Sequence, residues 1–220
     1  MIRAVVFDIG ETLVDETRTW GIWVDWLGVP RATFFTLLGV AIERGEQPQR
    51  VFEWCQPACD LDRARELLRT AAHELALEAS DLYPDARPCL ESLAGAGYRL
   101  GVAGNQPRRT EERMREWGLP VDFIASSEGW DVAKPDPKFF ARVAEAAGHA
   151  PEEIAYVGDR LDNDVAPAKA AGMVAVFLRR GPWGFAHATK PEAAQADIRI
   201  DALDELLSAL RAYETDSPRG

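Results

Sequence analysis

The run Ile2-Arg3-Ala4-Val5-Val6-Phe7, closed by Asp8, constrains the fold more than any other stretch of the chain. A short, almost unbroken apolar segment suits a strand buried on both faces, and such strands belong to parallel sheets covered by helices. In an open sheet of that kind ligands collect beyond the carboxyl ends of the strands, so this strand carries Asp8 to the edge where active sites are built. Asp8 is the first candidate for chemistry. The residues after it, Ile9-Gly10-Glu11-Thr12-Leu13, place a glycine rather than a second acid two positions on.

From Pro84 onward the chain alternates helical and strand patterns, the rhythm of a parallel sheet covered by helices. Strands are expected at Arg99 to Ala103, Phe123 to Ala125, Ile154 to Val157 and Val174 to Leu178. Helices are expected near Ala86 to Ala96, Arg109 to Trp117, Pro137 to Ala147 and Asp164 to Ala171. Between the first strand and Leu82 the apolar residues recur at three- and four-residue spacing with no strand pattern, which predicts an inserted bundle of three or four helices. Pro30 marks one helix start before Arg31 to Arg44, Gly45-Glu46-Gln47-Pro48 breaks it, and further helices run through Leu61 to Glu78. The expectation is an α/β chain with a doubly wound, parallel-sheet, Rossmann-like core formed by 1–14 and 83–214. Residues 15–82 form the insert, and 215–220 a polar, fraying tail.

With 220 residues the chain can bury a sizeable core. The net charge of −11 opposes nucleic acid or an anionic membrane as partner, since both need a basic face. No apolar stretch approaches a membrane span, and the first residues lack a secretory pattern, so a soluble cytoplasmic protein is expected. Three cysteines, Cys55, Cys59 and Cys89, are too few and too odd in number for a disulfide framework. They point to a reducing compartment, and no further ligand sits at a spacing that would make Cys55 and Cys59 a zinc site.

The expected strand ends bring polar residues to one edge of one sheet: Asp8, Gly104-Asn105, the loop with Lys134, and Gly158-Asp159. The segment Gly158-Asp159-Arg160-Leu161-Asp162-Asn163-Asp164 sets three acids close behind a strand, which suits a hard cation such as Mg²⁺ held by one or two carboxylates and a substrate phosphate. Each alone has an ordinary reading: a strand-end Asp is often a turn or helix cap, Lys134 a solvated lysine, and Asn163 or Asp164 an N-cap.

In combination these residues resemble the haloacid dehalogenase-like hydrolase superfamily over nearly the whole chain. Asp8 with Thr12-Leu13 looks like its first motif, Lys134-Pro135-Asp136-Pro137 its third, and Gly158-Asp159 with Asn163-Asp164 its fourth. The helical insert is similar to the family's small helical cap. The resemblance implies a Mg²⁺-dependent phosphatase of a small phosphorylated metabolite, with Asp8 as nucleophile forming an aspartyl-phosphate. It further implies that Asp8, the Gly10 carbonyl, Asp159 and Asp164 serve the metal, and that Gly104, Asn105 and Lys134 meet the phosphate. Two positions depart from the family pattern. Gly10 stands where most of its phosphatases have an acid that protonates the leaving group, and Gly104 where they have Ser or Thr. Glu11 is either the replacement acid or a surface or loop-packing residue.

Two alternatives stay open: a dehalogenase in which Asp8 attacks carbon without metal, and a binding protein on the same fold whose chemistry has decayed. A monomer or homodimer is expected. Trp20, Trp23 and Trp26 recur every three residues and either pack the insert or line a pocket, with Arg18 available for an anion. Arg108 and Arg109 open a helix after the second motif, either solvated or reaching a substrate phosphate. Trp183, in Gly181-Pro182-Trp183-Gly184 after a strand, is a candidate for the mouth of the site. His73, His149 and His187 have no partner pattern and are expected to be structural or exposed.

Overall fold

The computed structural model describes residues 1–57, 60, 66 and 76–216. It divides into two compact units, one of Met1–Asp15 with Leu82–Gly220 and one of Glu16–Asp81.

The first unit is built on six parallel strands: β1 (Ala4–Phe7), β2 (Arg99–Gly104), β3 (Phe123–Ser126), β4 (Ile154–Gly158), β5 (Val174–Leu178) and β6 (Ile198–Ile200). Their order is β3-β2-β1-β4-β5-β6, so the winding reverses between β1 and β4. This is the doubly wound α/β fold, whose reversal point opens a crevice at the carboxyl edge. All of β1, β4 and β5 is buried, as expected of strands covered on both faces. Register pairs Phe7 with Val102 on one side and Val157 on the other. The ends of β1, β2 and β4 are thereby level, and Asp8 N–H extends the ladder to Val157 O at 2.9 Å. The three-residue strand β6 has too short a pattern to announce itself in the sequence.

The helix Pro137–Ala147 shows how local signals aim one side chain of the site. Asp136 caps it by accepting from Lys138 N–H at 2.9 Å, a proline stands in its first turn, and Gly148 ends it with φ 66°. Its buried face, Phe139, Phe140 and Val143, packs into the core with Tyr156. Ring centroids run 5.3 Å from Trp130 to Phe139, 5.6 Å on to Phe140 and 5.2 Å on to Tyr156. Burying such side chains stabilises the fold by about 1.5–3 kcal/mol each. The ladder ends beneath Lys134, whose Nζ lies 5.6 Å from the Tyr156 ring centroid.

Two helices extend the sequence reading. Gly181–His187 forms a short helix after β5, where no element was expected, and Leu206–Asp216 closes the unit. Glycine and proline stand at the helix start, where the missing amide hydrogen of Pro182 costs nothing.

The second unit contains the helices Thr17–Leu27, Arg31–Glu43 and Arg50–Cys55 and a 3-10 turn Ala79–Asp81. Its core is aromatic: Trp20 meets Phe34 at 5.8 Å, Trp23 meets Phe52 at 5.1 Å, and Phe34 meets Phe52 at 5.6 Å. Trp23 also meets Trp26 edge-on at 6.2 Å, so the tryptophan stripe packs this unit. Arg18 grips Asp81 through Nε at 2.8 Å and Nη2 at 2.6 Å and also donates to Ala76 O, so it ties the unit's ends together. Most of the helix expected from Leu61 to Glu78, with Cys59 and His73, lies outside the described residues. No helix among the described residues is long and apolar enough to cross a membrane.

Candidate active site

Four charged side chains converge at the winding reversal: Asp8 after β1, Asp159 and Asp164 after β4, and Lys134 from the loop before helix Pro137–Ala147. All are buried. Lys134 Nζ donates to Asp8 Oδ1 at 2.6 Å and to Asp164 Oδ1 at 2.5 Å. Burial alone would lower the Lys134 pKa, but Asp164 and Asp8 overcome it and hold the ammonium well above its ordinary value. The lysine is a fixed positive charge.

Asp164 is fixed from its other side, where Oδ2 accepts from Arg160 N–H at 3.0 Å. The turn Leu161–Val165 is wound as a π-helix, a form that recurs at functional sites, and it presents Asp164 inward. Burial lifts Asp164 to about 6, against the lowering pull of Lys134. Burial also pushes Asp159 well up, joined by the like charges of Asp164, Asp8 and Glu11.

Ligand oxygens of Asp8, Asp159 and Asp164 lie within 4.8 Å of one another. Asp159 Oδ2 is buried without a hydrogen-bond partner. An unsatisfied buried carboxylate oxygen is costly, and three carboxylates outnumber the one ammonium among them. Oxygen ligands carrying surplus negative charge fit a hard divalent cation.

The remaining sequence candidates also fall here. The Asn105 side chain clasps the main chain of Lys134: Nδ2 donates to Lys134 O at 2.9 Å and Oδ1 accepts from Lys134 N–H at 2.8 Å. At Gly104 a Cβ would stand 2.6 Å from Asp8 Oδ1 and 3.2 Å from Ile9 Cγ1. Glycine at this position is therefore what lets the Asp8 carboxylate lie against the end of β2. Gly10 sits in the tight turn after Asp8 and bridges to Val14.

Glu11 is buried rather than on the surface, and it adopts φ 53°. Its Oε2 accepts from Tyr83 O–H at 2.6 Å. Burial, then the Glu11 charge, pushes the Tyr83 hydroxyl far up, so it stays a donor. Gly181, at φ 63°, lets the chain pass Glu11 closely, since a Cβ there would lie 2.6 Å from Glu11 Cβ. Arg180 Nη1 donates to Thr12 O at 3.0 Å, its Nη2 bonds Asp85, and its guanidinium stacks 4.2 Å from the Tyr83 ring centroid. Tyr83, Asp85 and Arg180 thus brace the turn after Asp8. Sequence reading passed over them because each stands beside Gly or Pro and reads as loop punctuation.

Trp183 is buried, with the Arg160 guanidinium 5.1 Å from its ring centroid. His187 Nδ1 accepts from Leu161 N–H at 3.1 Å and so supports the turn that carries Asp164. Arg108 donates from its main chain to Glu128 Oε2 at 2.7 Å, while the Arg109 side chain is exposed. Cys89 is buried and its thiol is pushed up to about 12, an unreactive state.

A family model described as haloacid dehalogenase-like hydrolase matches residues 2–172. Glyceraldehyde 3-phosphate phosphatase of Methanopyrus kandleri is 30% identical over 236 residues, spanning 98% of this chain and 100% of that protein. Phosphoglycolate phosphatase of Escherichia coli is 28% identical over 237 residues, spanning 95% of this chain and 92% of that one. Among solved structures, the putative HAD-hydrolase YfnB from Bacillus subtilis bound to magnesium superposes with a TM-score of 0.67 at 21% identity, covering 95% of this chain and 98% of that one.

Proposed function

The chain belongs to the haloacid dehalogenase-like hydrolase family, and from that premise we propose that it is a Mg²⁺-dependent phosphatase of a small phosphorylated metabolite, with Asp8 as its nucleophile. The observation that carries this reading is one buried lysine shared by Asp8 and Asp164, beside a third acid, Asp159, with an unpartnered oxygen. Relatives named for small phosphate esters, glyceraldehyde 3-phosphate and phosphoglycolate, support the substrate class.

An Asp8 oxygen attacks phosphorus, the ester P–O bond breaks, and the phosphoryl group passes to Asp8 as an acyl phosphate. Lys134 stays against Asp8 and offsets the negative charge that accumulates there, the kind of fixed charge on which phosphoryl transfer depends. Asn105 holds the Lys134 main chain in place, and its second Nδ2 hydrogen, with the main chain at Gly104, is offered to phosphate oxygens. Water then attacks phosphorus, releasing inorganic phosphate and restoring the Asp8 carboxylate. Asp8, Asp159, Asp164 and the Gly10 carbonyl are the groups that would hold Mg²⁺, which when bound supplies Lewis-acid charge to the phosphoryl oxygens.

Gly10 carries no proton for the departing alcohol, and such help is worth about a hundred- to ten-thousand-fold in rate. Esters with good leaving groups are therefore the best substrates, and the rate falls steeply as leaving-group pKa rises. The inserted helices act as the cap that sets substrate choice, and the enzyme works in the cytoplasm as a monomer or homodimer.

The test is a panel of aryl and alkyl phosphates assayed with Mg²⁺ and with excess chelator, with Asp8→Asn as control. Phosphate release that needs both Asp8 and Mg²⁺ is the expected result. The absence of any Asp8-dependent release sinks the proposal, and Asp8-dependent halide release from haloacids in chelator would replace it with a dehalogenase.

A further inference from the structure

Arg160 follows Asp159 directly, at the carboxyl edge of β4, and its guanidinium is held from two sides while its main chain is anchored. Trp183 supports its face, with the ring centroid 5.1 Å away. Its Nε and Nη2 donate to Asp162 Oδ1 at 3.1 Å and Oδ2 at 2.7 Å, a fork-to-fork pair. Its main-chain N–H is tied to Asp164. Nη1 has no hydrogen-bond partner among the described residues. A planar, immobilised guanidinium with an open edge loses little freedom on binding an oxyanion.

The pair with Asp162 does not need this much support for its own sake. The Arg160 side chain is 24% exposed and that of Asp162 is 61% exposed. A pair so wet on one side contributes only about 0–1 kcal/mol. Asp162 is therefore an exchangeable partner that keeps the cation oriented and that another oxyanion can displace. Arg160 is the residue after Asp159 and its N–H meets Asp164 Oδ2 at 3.0 Å, which places the residue beside the reacting centre rather than on a remote surface.

We propose that Arg160, backed by Trp183 and held by Asp162, is a subsite for a second oxyanion of the substrate, a carboxylate or a second phosphoryl group borne on the same small phosphate ester. The inference rests on the phosphatase reading and narrows it to esters with two anionic ends. A bidentate or charge-assisted contact of this type changes affinity about ten- to a hundred-fold.

Binding is measured by calorimetry in Mg²⁺, with simple alkyl phosphonates, a series of carboxyalkyl phosphonates of increasing chain length, and alkyl bisphosphonates. The unaltered protein prefers one doubly anionic series over the alkyl series, and which series it prefers identifies the second group. In Arg160→Ala the preference collapses ten- to a hundred-fold, and in Asp162→Asn it grows. An Arg160→Ala loss that is equal for one-anion and two-anion ligands overturns the proposal, because a residue that merely braces the Asp164 turn would weaken both alike. Arg160→Lys retains charge without the planar fork, and full retention of the preference in that variant also counts against it. These readouts need no turnover, so failure of the panel of phosphate esters and failure of this subsite are separate results.

Discussion

At the carboxyl edge of the sheet Lys134 bridges Asp8 and Asp164 with side chains that are 1%, 11% and 1% exposed. At the amino edge Arg3 meets Glu153 at 3.0 Å, with side chains 61% and 32% exposed, and His149 Nδ1 lies 3.7 Å from Glu153. The chemical groups are alike and the distances similar. Water makes the difference. At the amino edge solvent screens the pair to about 0–1 kcal/mol, whereas at the carboxyl edge each charge forfeits several kcal/mol of hydration that the others only partly return. Three buried acids around one lysine leave surplus negative charge at this edge, and the sheet supplies the place by reversing its winding between β1 and β4.

The largest effect expected is from Lys134→Met. It leaves Asp8 and Asp164 facing each other without their shared cation, so stability in urea drops by about 3–5 kcal/mol. Turnover drops at least on the order of a hundred- to a thousand-fold, as for removal of one preorganised donor. A variant that keeps both activity and stability would erase the contrast between the two edges. Gly104→Ser comes next. Its Cβ would sit 2.6 Å from Asp8 Oδ1, so a serine here displaces the Asp8 carboxylate, the proposed nucleophile, rather than assisting it. Turnover is expected to fall about ten- to a hundred-fold at a stability cost of about 1–3 kcal/mol. A faster Gly104→Ser enzyme would show that the strand end can yield.

The third prediction concerns pH. Asp164 rises from 3.8 to about 6 in the folded chain, and Asp159 also rises, so the folded state binds more protons than the unfolded state above pH 3.8. The Asp164 contribution is complete below that pH and is lost as pH rises through about 6, and the rise of Asp159 acts in the same direction. The metal-free protein should thus lose melting temperature across this interval. On the proposed function Mg²⁺ would bind the ionised carboxylates and should reverse the slope through selective binding to the folded state. Melting curves that Mg²⁺ fails to shift at pH 7 would remove the metal from this cluster.

Much of this edge was legible in sequence because a parallel strand announces itself as an apolar run, and its carboxyl end is the next residue. Asp8, Gly104, Asn105 and Asp159 all follow from that rule. Lys134 needed the motif, since it lies on a loop rather than at a strand end. The partner choices were hidden. Asn105 grips the Lys134 main chain, Tyr83 reaches Glu11 across a sequence gap of 72 residues, and Arg160 lies on Trp183, because tertiary packing alone brings them together. Arg18 looked free for an anion until the fold placed Asp81 beside it.

The smallest effect is predicted for Arg3→Ala. The substitution removes the contact from Nε to Glu153 but leaves the main chain untouched. Arg3 N–H still donates to Glu153 O at 2.7 Å, and Arg99 N–H still donates to Arg3 O at 2.9 Å. Register on both sides of β1 therefore survives, and the expected loss is below about 1 kcal/mol, smaller still in high salt, where exposed pairs are screened. Glu153 stays in water and needs no replacement partner, unlike Asp8 and Asp164 when Lys134 is removed. The measurement is urea unfolding of Arg3→Ala and Lys134→Met at low and high salt. A loss above about 2 kcal/mol at Arg3, undiminished by salt, would mean that burial does not distinguish the two edges.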